Sequence, residues 1–189
     1  MLWWVDKGLH MLSIVKKKYQ LNSKIKFFNS NVQNLNFFFD IISALFHILG
    51  YQIKLQDIKN FFFNSRKYLK KNDLLKLDFR FKDGVINLRL PLKCLKVSNS
   101  KYSVYRITRS RWLKKKQQIH NIHEMIEVDK KSKKERIFKE IYKMRYFQLS
   151  VIKKYLRLFN FKYFLSTDLL TNKFPGNNSR GTLIIERKI

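Results

Sequence analysis

Hydrophobic and polar residues alternate over several short stretches of this chain, and each such stretch predicts a β-strand. Phe161, Tyr163 and Leu165 alternate with Lys162 and Phe164, and the run ends in Ser166-Thr167-Asp168, residue types that hydrogen-bond nearby backbone in turns. Leu183 to Ile185 is a β-branched run that predicts a closing strand beside it. Leu75, Leu77, Phe79 and Phe81 alternate with Lys76, Asp78 and Arg80, and Asp83-Gly84 follows as a two-residue turn signal. That combination predicts a hairpin over Leu75 to Leu90, pairing Phe81 with Ile86, Phe79 with Leu88 and Leu77 with Leu90, with Pro91 ending the ladder. Lys24 to Phe28, Tyr51 to Leu55 and Tyr102 to Ile107 predict further strands, the last after a turn at Ser98-Asn99-Ser100-Lys101.

Helical spacing is expected in three places. Leu9, Leu12 and Val15 share one face, and Lys16-Lys17-Lys18 follow where cations suit a helix C-terminus. Phe38, Ile41, Ile42, Leu45 and Leu49 form a stripe with Gly50 at the C-cap position, which predicts a core helix. Between residues 112 and 146, Glu127 with Lys131, Asp129 with Lys133, and Glu135 with Lys139 stand four apart, which predicts a charged helical insertion. Asp57 to Asp73 shows no clear period and is expected as a loop or short helix, its three phenylalanines (61–63) packing inward.

Composition changes the picture chiefly through charge. The 189 residues carry a formal net charge of +28, against a hydrophobic content of 45% that is ample for a core. Such a surplus repels itself unless a polyanion neutralises it, so nucleic acid is the expected partner, ahead of a membrane surface. The longest apolar stretch, Phe37 to Tyr51, falls short of the ~20 residues of a membrane span and contains Asp40 and His47. A single cysteine, Cys94, excludes an internal disulfide, and His47, His120 and His123 lack acidic or cysteine ligands at metal spacing. No metal or cofactor is expected. One alanine among abundant Lys, Asn, Phe and Ile suggests an AT-rich organelle genome, and Met1 to Lys18 makes a poor transit peptide. The expected location is the mitochondrion.

Several pieces resemble, in order, the small-subunit ribosomal protein S-eight family. They are residues 11–17, the segment 48–53, the Asp83-Gly84 turn, Lys96-Val97-Ser98, Ser103-Val104-Tyr105, Leu165-Ser166-Thr167 and Gly181-Thr182-Leu183-Ile184-Ile185. The resemblance implies an α+β fold: an N-terminal α/β domain (1–91), with helices on a small sheet and a β-hairpin. A mainly β C-terminal domain (92–111 and 147–189) follows, interrupted by the helical insertion (112–146). It further implies a structural, non-enzymatic role in the mitochondrial small ribosomal subunit, binding the central domain of the small-subunit rRNA. The implied neighbours are ribosomal proteins of the five, twelve and seventeen families, with no membrane and no homo-oligomer. The candidate RNA-binding residues are Ser166, Thr167, Asp168 and Thr171 at the turn; Lys101, Tyr105, Arg106, Arg109 and Arg111; Lys16 and Lys17; and Ser179 and Arg180. The sequence departs from the family at Asp168, where a third hydroxyl is expected, and at Arg180-Gly181, where paired glycines are.

Three rivals remain at this stage. Residues 143–157 with 173–180 resemble the S-fourteen family over far less of the chain. A nucleic-acid enzyme would need carboxylates clustered for Mg²⁺, but Asp78, Asp83, Asp168 and Glu186 are scattered along the sequence. A structural subunit of an organellar membrane complex would suit the basic, Phe-rich composition.

Overall fold

A computed structural model of the chain describes residues 2–6, 8–19, 23–29, 37–89, 91–171 and 173–189. It divides into two compact units, 1–39 and 40–189.

The first unit is a strand–helix–strand element. β1 (Leu2–Asp6) and β2 (Ile25–Asn29) pair in parallel, Leu2 against Ile25 through Asp6 against Asn29. Parallel neighbours need a crossover, and α1 (Leu9–Tyr19) supplies it. Leu12 is the buried residue of α1, while Lys16, Lys17 and Lys18 occupy its last turn, as the apolar spacing predicts. Trp3 stacks on Phe28 with ring centroids 4.6 Å apart and meets Phe37 at 4.3 Å, an aromatic cluster that covers one face of the strand pair.

The second unit holds two four-stranded sheets. In chain order its elements are β3 (Phe39–Ala44), α2 (Leu55–Tyr68), β4 (Leu69–Arg80), α3 (Lys82–Asn87), β5 (Lys93–Ser98), β6 (Tyr102–Leu113), β7 (Gln118–Asp129), β8 (Glu135–Arg145), α4 (Leu149–Leu158), β9 (Phe161–Asp168) and β10 (Gly181–Lys188). The first sheet has the order β3-β4-β10-β9, and β10 runs antiparallel to both of its neighbours. β3 and β4 point the same way. Asp40 and Lys70, near their starts, are 2.8 Å apart, and Asp78 near the end of β4 bonds Phe46 and His47 just past the end of β3.

The core lies on this sheet. Leu75, Leu77 and Phe79 of β4 and Ile184 of β10 are all fully buried, together with Ile58 and Phe62 of α2 and Ile152 and Leu156 of α4. Phe62 stacks against Tyr155 at 5.4 Å, joining the two helices. The second sheet, β5-β6-β7-β8, is antiparallel throughout; its outer strands β5 and β8 are mostly exposed, while β6 and β7 are mostly half-buried. A small cluster of Val85, Ile119 and Tyr146, with Trp112 packed against it, joins its base to α3. No helix among the described residues is long and apolar enough to cross a membrane.

Several expectations are corrected here. The apolar stripe from Phe38 to Leu49 is not a helix but β3 followed by a 3₁₀ turn over Ile48–Tyr51; Phe38 and Ile41 are exposed. The predicted strand at Tyr51 to Leu55 is the lead into α2, which occupies the stretch without clear period. The predicted hairpin does not form. β4 is the strand whose alternation was read, but its partner is β10: Leu77 faces Ile184 and Phe79 faces Thr182. Asp83 and Gly84 lie inside α3, and Leu90 is outside the described residues. The helical insertion is a β-hairpin of β7 and β8, in which Glu124 pairs with Lys139 and Glu127 with Arg136, while Arg109 of β6 meets Glu124 from the other side. The α+β arrangement of an N-terminal domain with a hairpin and a β-domain with a helical insertion therefore gives way to a parallel strand–helix–strand unit followed by a mixed sheet bearing helices and an antiparallel sheet inserted between α3 and α4.

Candidate functional site

One edge of the β3-β4-β10-β9 sheet gathers unusual groups. β3, β4 and β9 end there and β10 begins there, since Gly181 pairs with Arg80 and Thr182 with Asp168. In open α/β sheets the carboxyl ends of the strands are where ligands bind.

Asp78 is buried at 5% exposure and organises this edge. Its Oδ2 accepts the Phe46 N–H at 3.0 Å and its Oδ1 accepts the His47 N–H at 2.5 Å. Phe46 and His47 both have φ of 61°, in the left-handed region. That region costs a non-glycine residue about 1–2 kcal/mol, and two hydrogen bonds to one carboxylate offset it. The His47 ring lies over the same acid, with Nδ1 3.6 Å from Asp78 Oδ1, beyond hydrogen-bond reach, and that nitrogen is shielded from solvent without a partner. Burial pushes the imidazole pKa below its ordinary 6.5; Asp78 opposes the shift and Arg80 reinforces it. The ring is therefore neutral at pH 7 and able to accept a proton. Gly181 is required here for close approach. A Cβ on it would stand 2.9 Å from His47 Cε1 and 2.5 Å from Leu169 Cδ1.

The first unit carries its own candidate. Asp6 closes β1, and its Oδ1 accepts the Gly8 N–H at 2.8 Å just before α1 begins. The Asn29 side chain donates to the Asp6 carbonyl at 3.3 Å, fixing the strand end. Oδ2 has no partner among the described residues.

The residues expected to bind RNA are dispersed. Ser166 is buried at 4% exposure, its hydroxyl 2.6 Å from Tyr163 Oη. Thr167 is half-buried in the ladder opposite Leu183. Asp168 caps its own turn, with Oδ1 accepting from the N–H groups of Leu170 and Thr171 at 2.8 Å and from the Thr171 hydroxyl at 3.1 Å. Burial raises its pKa, but bonds from Ser179, Leu170 and Thr171 outweigh that and hold the carboxyl below the usual value. Ser179 is buried and accepts the Gly176 N–H at 3.0 Å. Thr171, Lys101, Tyr105, Arg106, Arg109, Arg111, Lys16, Lys17 and Arg180 are exposed. Lys16 and Lys17 belong to the first unit, and Tyr105, Arg106, Arg109 and Arg111 are spread along β6 with Arg106 on the opposite face from the others. The structure brings together Asp168 with Thr171 and Ser179, and not the rest.

Asp6, His47, Asp78 and Arg80 did not stand out in the sequence as site residues. Asp6 had a legible signal, an acid ending the apolar run Trp3-Trp4-Val5 just ahead of a helical spacing. His47 and Asp78 are 31 residues apart and meet only through the β3–β4 pairing. Among the described residues no group of three or more His, Cys, Asp or Glu is placed to hold a metal ion.

No family model and no curated protein sequence matches the chain. Solved structures do. A S-adenosylmethionine-dependent methyltransferase from Clostridium acetobutylicum is similar over 98% of this chain and 74% of its own, at 18% identity and a TM-score of 0.77. The sugar N-methyltransferase KedS8 from Streptoalloteichus covers 98% of this chain and 70% of its own, at 15% identity and a TM-score of 0.79. The CcbJ methyltransferase from Streptomyces caelestis gives 98% and 74%, at 14% identity and a TM-score of 0.75. These likenesses show a methyltransferase-like fold.

They overturn the ribosomal resemblance. The quoted pieces are two to seven residues long, and short strands, turns and lysine-rich helix ends meet their patterns in either fold. With it go the structural role in a mitochondrial small subunit, the rRNA and ribosomal-protein partners, and the expectation that the chain is not an enzyme.

Proposed function

We propose that this chain is a S-adenosylmethionine-dependent methyltransferase acting on a small molecule. The observation that carries the reading is Asp6, a carboxylate held at the carboxyl end of a parallel strand by the first N–H ahead of a crossover helix. In nucleotide-binding α/β folds an acid takes the ribose hydroxyls, each of which is a donor that a carboxylate oxygen can accept. The five glycines (8, 50, 84, 176 and 181) contain no G-x-G-x-x-G run, the turn that lets backbone approach a pyrophosphate. S-adenosylmethionine carries no phosphate. The part of it that the residues of the first unit fit is the ribose diol, with Asp6 as the acceptor.

When bound, S-adenosylmethionine supplies a methyl group activated by a positively charged sulfur. An amine or hydroxyl that gains a methyl group must shed a proton. Within the second unit, taken by itself, the neutral imidazole of His47 is a group able to take one up. Asp78 keeps His47 in place through its backbone N–H. The similarity to a sugar N-methyltransferase supports an amine on a small polar acceptor as the first class to try.

Calorimetric titration with S-adenosylhomocysteine tests the reading. Asp6→Asn removes the charge while keeping the shape, and should weaken binding about tenfold or more, the size of one charge-assisted hydrogen bond of about 1.5–3 kcal/mol. Absence of binding to the wild-type chain, or equal binding to Asp6→Asn, overturns it.

A further inference from the structure

Where α3 meets the base of the second sheet there is a small, partly open pocket of about 30 Å³, lined by Arg80, Gly84, Val85, Leu88, Trp112 and Arg180. Its polar side chains, those of Arg80, Trp112 and Arg180, are all donors. Arg80 Nε and Trp112 Nε1 are shielded from solvent and have no hydrogen-bond partner. Buried donors left unpaired are costly, and native proteins pair nearly all of them with protein, water or ligand. Neither arginine forms an ion pair among the described residues. Burial pushes the Arg80 guanidinium below its ordinary value, and the group that opposes this is Tyr51 rather than a carboxylate. The acid two residues away, Asp78, spends both oxygens on Phe46 and His47. The pocket is thus a cationic socket without an anion.

Its construction is rigid on one side. Gly84 presses so closely on the 176–180 turn that a Cβ there would stand 1.9 Å from the Ser179 carbonyl oxygen, and that contact brings Arg180 to the rim. On the other side Trp112 packs against Val85, Ile119 and Tyr146. At about 10–15 Å³ for each water-sized group, the space admits two. That is the count of oxygens on a carboxylate, and a planar carboxylate is the partner that a guanidinium edge matches in two parallel hydrogen bonds.

From this geometry we infer that the pocket binds the carboxylate of a small-molecule ligand, with Arg80 and the Trp112 indole N–H as inner donors and Arg180 at the mouth. That the ligand is the methyl acceptor rests on the proposed methyl transfer; that a carboxylate binds does not.

The test is a titration of the full chain with sodium acetate, against sodium chloride and sodium phosphate at equal ionic strength, following tryptophan fluorescence. Acetate should give a saturable change that is lost in Trp112→Phe, weakened at least tenfold in Arg80→Gln and at least threefold in the surface variant Arg180→Gln. Should Arg80→Gln fail to fold, as circular dichroism would show, Arg180→Gln alone decides. An acetate response equal to that of chloride, an equal or tighter response to phosphate, or a response unchanged in the arginine variants overturns the assignment. Acetate binding without any binding of S-adenosylhomocysteine would sink the methyl-transfer reading and leave the pocket standing. The reverse result would sink the pocket alone.

Discussion

Glu186 gives the sharpest energetic expectation. It lies in β10 with no exposed surface, on the same face as the fully buried Thr182 and Ile184, opposite Leu75 of β4 and Tyr163 of β9. Both carboxyl oxygens are shielded and neither has a hydrogen-bond partner. Burial raises its pKa well above the ordinary 4.5, so the folded chain holds this carboxyl protonated where an unfolded chain would not. The sign follows. Below 4.5 both states carry the proton and Glu186 adds no pH dependence. Above it the unfolded state ionises while the folded state does not, so stability falls as pH rises, by up to about 1.4 kcal/mol per pH unit, until the folded pKa is passed. Glu186→Met keeps the volume and removes two unsatisfied oxygens, a gain of about 1–3 kcal/mol at pH 7. For a chain of this length each kcal/mol raises Tm by about 2–4 °C. Glu186→Gln, which cannot ionise but stays polar, should abolish the pH slope without the full gain. Urea unfolding followed by circular dichroism at pH 5, 7 and 8.5 measures all three chains. If Glu186→Met is less stable than wild type at pH 7, or if its advantage does not grow with pH, the account of this residue is refuted.

Other positions give equally definite outcomes. Gly84→Ala drives a Cβ into the Ser179 carbonyl and should cost about 1–3 kcal/mol or more of stability, read by thermal unfolding, with loss of the acetate response. Asp78→Ala leaves the Phe46 and His47 N–H groups without their acceptor in a left-handed turn, and should cost about 3 kcal/mol, read by urea unfolding. His47 has a depressed folded pKa, so its stability contribution is full above 6.5 and is lost as pH falls through the folded value; His47→Gln should flatten the difference between unfolding curves at pH 5 and pH 7. Phe62→Ala empties the contact between α2 and α4 and should cost about 3–5 kcal/mol in the same assay.

Much of the local structure was legible, because two-residue alternation has few other causes. β2, β6, β9 and β10 occur where the spacing places them, and Leu183 and Ile185 lie opposite Thr167 and Leu165 as a closing strand should. α1 has its lysines in the last turn, where cations meet the negative end of the helix dipole. β4 shows the limit of such reading. The alternation of Leu75, Leu77 and Phe79 fixes which face is buried, yet it says nothing of which strand fills the far side. The local candidate at 86–90 satisfied the same pattern as β10, more than 100 residues away, and long-range pairing won because α3 caps the end of β4 instead of turning it back.

The largest error has a single geometric source. A spacing of four residues puts two side chains on one face of an α-helix, but four is also twice two, so it puts them on one face of a strand. Glu135 with Lys139 and Ile137 with Ile141, all on β8, therefore fit both structures, and charge spacing alone could not separate them. What separates them lies between the fours. In Gln118–Asp129 the residues Ile122, Glu124, Ile126 and Val128 share one face and His123, Met125 and Glu127 the other, so each side of the sheet is a mixture and no apolar stripe marks either. A strand that carries isoleucines and charges on the same face reads as a solvated helix until its partner supplies the opposite charges. Arg109 and Lys139 do that from either side of Glu124. The candidate site was hidden by the same locality. Asp78 reads as the polar member of an alternating strand, and its chemistry arises only when β3 delivers two strained N–H groups and an imidazole to its carboxylate.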